Sequence, residues 1–92
     1  MQQDLAEIGA MRALAWLAAQ EDLVGVFLGS TGTSLEDLRA RAAEPEFLAS
    51  VLDFVLMDDA WVIACADALE VAPGRLIEMR QALPGGGLPN WT

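Results

Sequence analysis

The sequence predicts an all-α fold, a compact six-helix bundle, and three observations predict it. Apolar residues recur at helical intervals along most of the chain. No stretch alternates β-branched with polar residues as a half-buried strand would. The interruptions fall where helices start and stop: Gly32, Ser34, Pro45, Asp58 and Pro73. At 92 residues, the chain has the length of a single domain.

The first helix is expected from Asp4 to about Ala19. Leu5, Ile8, Met11, Leu14, Trp16 and Leu17 make it apolar nearly all round, which reads as a central, mostly buried helix loosened near Gly9. A second helix, Glu21 to Leu28, starts with two acids that suit the positive end of a helix dipole. Its inner face is Leu23, Val24, Phe27 and Leu28, and Gly32 in the loop after it fits a left-handed cap position. Ser34 opens a third helix, with Asp37 completing a capping box and Leu35, Leu38 and Ala42 inward.

Pro45 stands in the first turn of a fourth helix that runs to about Met57, where a missing N–H costs nothing. Phe47, Leu48, Val51, Leu52, Phe54 and Val55 face inward there, Ser50 and Asp53 outward. Asp58 is an N-cap for a fifth helix, Asp59 to about Glu70. Its inner face is Trp61, Val62, Cys65, Ala68 and Leu69, with Asp59, Asp67 and Glu70 on the other side. A sixth helix starts at Pro73 and ends before Pro84, with Leu76, Met79 and Leu83 inward. Residues 1–84 form the domain, and "GGGLPNWT" reads as a flexible tail over residues 85–92.

The most apolar run, "SVLDFVLMDDAWVIACADALEV", is therefore two core helices whose acids are caps and outer faces. Two adjacent aspartates divide it, and its longest uncharged piece is Ala60 to Ala66, far short of the roughly 20 residues of a membrane span. A shift of 38 residues lays Leu14 on Leu52, Trp16 on Phe54, Leu17 on Val55, Glu21 on Asp59, Val24 on Val62 and Leu38 on Leu76. Two pseudo-repeated three-helix units are one reading of that offset; chance similarity is the other.

Composition narrows function. Fourteen acids against five arginines give a net charge of −9, with no lysine, histidine or tyrosine. Such a surface repels phosphate backbones and anionic headgroups, so neither nucleic acid nor membrane is an expected partner. The 54% hydrophobic content implies either a very complete core or apolar surface kept for a partner. Cys65 is the only cysteine, which rules out an internal disulfide and fits a small core side chain in a reducing compartment. The N-terminus has Asp4 and Glu7 where a signal peptide would carry basic residues, and a cytoplasmic location is expected.

Without histidine or lysine, neither the serines nor Cys65 has an activating base. Asp58 and Asp59, with Asp53 or Glu21, lack the ligand spacing of a magnesium or calcium site and read as a cap and a first-turn acid. No catalytic residue, cofactor or metal is expected. Ala66, Val71, Leu76 and Met79 have the spacing of a helix-turn-helix of small bacterial repressors over residues 66–82, which would turn Gly74, Arg75 and Glu78 to the major groove. Any αα-corner has that spacing, and Glu70 stands where those repressors carry glycine.

For a protein partner, the candidate surface is Ile63, exposed among Asp59 and Asp67 on the fifth helix, together with Leu88 and Trp91 of the tail. Leu88 and Trp91 either fold back on the bundle or are offered to a partner, a disordered terminus being the alternative. A monomer or weak homodimer is expected.

The segments "ALAWLAAQEDLVGVFL" and "LEDLRARAAEPEFLASVLDFVLMDDAWVIACADA", with the ending "ALPGGGLPNWT", resemble a small bacterial family, mostly alphaproteobacterial, catalogued only as a domain of unknown function. The resemblance covers nearly the whole chain. It implies a stand-alone all-helical protein with no assigned activity and no catalytic residues to carry over. Glu70 and Ala72 depart from the G-x-[SD]-P corner that would cap the fifth helix more tidily. The function expected is a non-enzymatic interaction or adaptor module, with a helix-turn-helix DNA-binding protein as the alternative.

Overall fold

A computed structural model of the chain describes residues 1–84. Six helices follow one another: α1 (Gln3–Ala18), α2 (Glu21–Thr31), α3 (Leu35–Ala40), α4 (Pro45–Val55), α5 (Asp59–Leu69) and α6 (Gly74–Gln81). No strand occurs among the described residues. Two helices, α3 and α5, start at side-chain caps. The Ser34 hydroxyl accepts the Asp37 N–H, and the Asp37 carboxylate accepts the Ser34 N–H in return. The Asp58 carboxylate accepts the Ala60 and Trp61 N–H groups at the start of α5.

Helices α1 and α4 form the spine, with α5 and α6 laid against both; α3 touches the bundle lightly, chiefly through buried Leu38. The core runs from Leu14 and Leu17 through Leu48, Val51, Leu52 and Val55 to Leu76, Met79 and Leu83. Phe27 anchors α2 in it, edge-on to Phe47 at 6.0 Å and to Phe54 at 5.3 Å. No polar or charged side chain is buried among the described residues. No helix of these residues is long and apolar enough to cross a membrane.

Helix α1 differs most from expectation. Its buried face is Ala6, Gly9, Ala10, Ala13, Leu14 and Leu17, whereas Leu5, Ile8 and Met11 are exposed. Small side chains let α1 approach its neighbours closely. Gly9 is no loosening: a Cβ there would lie 2.7 Å from the Met79 Cε, so the glycine is where α6 seats its methionine. Leu35 and Ala68, expected inward, are exposed too, and Ala66 takes the buried position on α5. Helix α2 continues three residues past Leu28. The Ser30 and Thr31 hydroxyls donate to the Phe27 carbonyl, and the chain turns only at Gly32.

The 38-residue offset is a structural one. Moved by 38, α2 lands on α5 from first residue to last. The only positive φ angles among the described residues are at Gly32, φ 70°, and Glu70, φ 60°, which are equivalent positions. Each corner closes with an equivalent bond, Thr33 N–H to the Leu28 carbonyl at 3.1 Å and Val71 N–H to the Ala66 carbonyl at 3.0 Å. Leu14 and Leu52, Leu17 and Val55, Phe27 and Cys65, and Leu38 and Leu76 are buried pair by pair. The third helices are less alike, six residues in α3 against eight in α6.

Candidate functional site: the groove between α2 and α5

Where the two units meet, the sequence leaves apolar surface uncovered. An open groove of about 650 Å³ lies between the end of α1, the first half of α2 and α5. Trp16 and Trp61 are half-buried in it, Ala19, Leu23, Val26 and Ala64 complete its apolar lining, and Glu21 and Asp22 bring two carboxylates. Val26 is 54% exposed, so its side chain is available at the groove's open side. Trp61 is held from below by Phe54, its ring stacked at 4.8 Å and 22°. Trp16 packs against the core, and the Gln20 amide donates to its backbone carbonyl at 3.2 Å at the end of α1. The groove thus has two aromatic walls packed on the core, with acids in its lining.

Its position follows from the repeat. Leu23 and Trp61 are equivalent under the 38-residue offset, and so are Val26 and Ala64. Clefts between packed units are where ligand sites usually form. The sequence carried the signal for this groove, two apolar pairs on the offset, but not that α2 and α5 face each other across it.

The sequence-predicted surface lies elsewhere. Ile63 is 61% exposed with Asp59 and Asp67 exposed on the same outward part of α5, beside the groove rather than lining it. Leu88 and Trp91, and the tail to which they belong, lie outside the described residues. Of the aromatic residues read as apolar helix faces, Phe27 and Phe54 are buried, while Trp16 and Trp61 pack against the core from the groove side.

No arginine lines the groove. Arg12 donates to the Leu69 carbonyl at 3.0 Å and so caps the end of α5. Arg41 pairs with Glu44 and lies 4.9 Å from the Phe47 ring centroid, Arg75 pairs with Glu78, and Arg80 pairs with Asp53. Arg39 lines a second, smaller groove between α1 and α3. At the corner 66–82, Ala66, Leu76 and Met79 are buried, as an αα-corner requires, and Arg75 and Glu78 form an exposed ion pair with each other. Cys65 is fully buried, and that burial pushes its thiol up to about 11 from 9.0. It is a neutral core side chain at any ordinary pH. Among the described residues, no three acids or thiols gather as metal ligands would.

Residues 3–86 match the family model described as protein of unknown function, DUF3572. The chain belongs to that family. Comparison with curated proteins and with solved structures gives no match. Membership in DUF3572 brings no activity and no site residue with it, so what a DUF3572 surface can do rests on the groove just described.

Proposed function

We propose that this protein is a non-enzymatic interaction module, and that the α2–α5 groove is where it docks a segment of a partner protein. The observation that supports this reading most is the pairing of half-buried Trp16 and Trp61 with exposed Val26 in one groove. Tryptophans already held by the core bury large area at little entropic cost, which is why they dominate the binding energy of interfaces. A helix-in-groove mode fits an open trough lined by apolar side chains one helical turn apart, such as Leu23 and Val26. A reducing, cytoplasmic setting accords with a lone buried thiol.

Site-specific photo-crosslinking in the native host tests the reading. A photoreactive residue replacing Val26 is expected to trap one defined partner. The same residue at exposed Glu46, on the far side of α4, is expected to trap none. Equal labelling from both positions, or none from Val26, would refute the docking site.

A further inference from the structure

We infer that the segment which fits the α2–α5 groove is a basic amphipathic helix carrying arginine or lysine beside its apolar anchors. This rests on the docking reading above and adds the chemistry of the occupant. The groove combines three things that a cationic, half-apolar segment needs. Its lining includes two indoles, and a guanidinium is attracted to tryptophan more strongly than to other rings. Its lining includes the carboxylates of Glu21 and Asp22, and no arginine stands there to neutralise them. Asp67, exposed on α5 beside the groove rather than in its lining, adds negative charge at its margin.

The rest of the molecule points the same way. Four arginines are engaged at contacts away from the groove, and the fifth, Arg39, lies at the α1–α3 groove. A net charge of −9 repels an acidic partner and a second copy of the chain alike, whereas it draws a basic one to the encounter. The smaller groove has Arg39 in its lining and no acid, so the two surfaces differ in the charge they select.

The test is a titration of the full-length, ¹⁵N-labelled protein followed by NMR. The probe is a synthetic amphipathic helix of leucine, alanine and arginine. Two companions keep its apolar face but carry citrulline or glutamate in place of arginine. The inference predicts that only the arginine peptide binds tightly. Shifts should centre on the Trp16 and Trp61 indole N–H signals and the amides of Leu23, Val26 and Ala64. Affinity should fall roughly tenfold between low and moderately high salt. Glu21→Gln with Asp22→Asn should weaken it by about five- to tenfold, and circular dichroism should show the fold intact.

If the citrulline peptide binds the groove as tightly as the arginine one, the inference fails while the docking reading stands. If the arginine peptide perturbs acidic surface everywhere without centring on the groove, the inference fails as well. If no peptide binds and Val26 also traps no partner, both readings fail.

Discussion

Two corners of this molecule, 38 residues apart, have the same backbone and different chemistry. Helix α2 ends at Gly32 and α5 at Glu70, both left-handed, each followed by an N–H that reaches five residues back to close the turn. Glycine adopts that conformation freely, whereas a residue with a Cβ gives up about 1–2 kcal/mol to do so. The second corner has help that the first lacks. Arg12 reaches from α1 to the Leu69 carbonyl, placing a cation on the negative end of α5, and Val71 packs against the core. At the position equivalent to Arg12, Ser50 bonds only within its own helix, to the Phe47 carbonyl. The first corner is held by its own residue, the second by tertiary contacts. The units differ in surface in the same sense. Where α4 shows Glu46 and Asp53 outside, α1 shows Ile8 and Ala15 at the equivalent positions.

The largest effect that would break this comparison is at the paired core positions Phe27 and Cys65. Both are fully buried, but Phe27 alone joins two other rings. Phe27→Ala should cost about 3–5 kcal/mol by chemical unfolding, and Cys65→Ala far less. Trp61→Ala, half in the groove, should fall between them. A Trp61 loss as large as that of Phe27 would mean the groove is part of the core.

Alkaline pH sharpens the contrast next. With no lysine, tyrosine or histidine, the side chain that titrates between neutrality and pH 11 is Cys65. Its folded pKa, about 11, lies above the value of 9.0 it regains on unfolding. The native state therefore keeps a proton that the unfolded chain releases. Stability is fully present below pH 9, declines as pH rises from there, and levels off above pH 11 after a loss of about 2–3 kcal/mol. Cys65→Ala should flatten that slope; an unchanged slope would show that another part of the molecule opens.

Smaller effects belong to the corners themselves. Arg12→Met should destabilise by about 1 kcal/mol, since it removes a charge-assisted bond to the last carbonyl of α5. Ser50→Ala, at the equivalent position, should change stability little. Glu70→Gly should stabilise by about 0.5–1 kcal/mol and Gly32→Ala destabilise by about as much, both read as shifts in the denaturation midpoint. A neutral Glu70→Gly would mean that Arg12 and Val71 already offset the whole cost of the left-handed backbone.

What the sequence disclosed, and what it withheld, divides on the same physics. Caps and corners are local chemistry, so Ser34, Asp58, Pro45 and the left-handed Gly32 were legible, as was the glycine-like demand at Glu70. The face of α1 was not. Periodicity ranks large apolar residues as inward, but a central helix in a small bundle buries alanine and glycine because neighbours must come close, and Leu5, Ile8 and Met11 were turned out. The outward setting of Ile63 was legible for the opposite reason, its acidic neighbours. The groove was legible only in part: Trp16 and Leu23 are ordinary core candidates until they are seen to be left partly uncovered beside α5, and Val26 fell outside the expected inner face.

The central claim is that the open side of the groove, at Val26, is surface kept for binding rather than packing that the fold needs. Val26→Glu tests this most directly, measured once for unfolding free energy and once for association of the arginine peptide. The account predicts stability within about 0.5 kcal/mol of the parent, because Val26 is largely exposed and away from the core, together with loss of peptide binding. A variant that unfolds by several kcal/mol more readily, or that still binds the peptide undiminished, would contradict it.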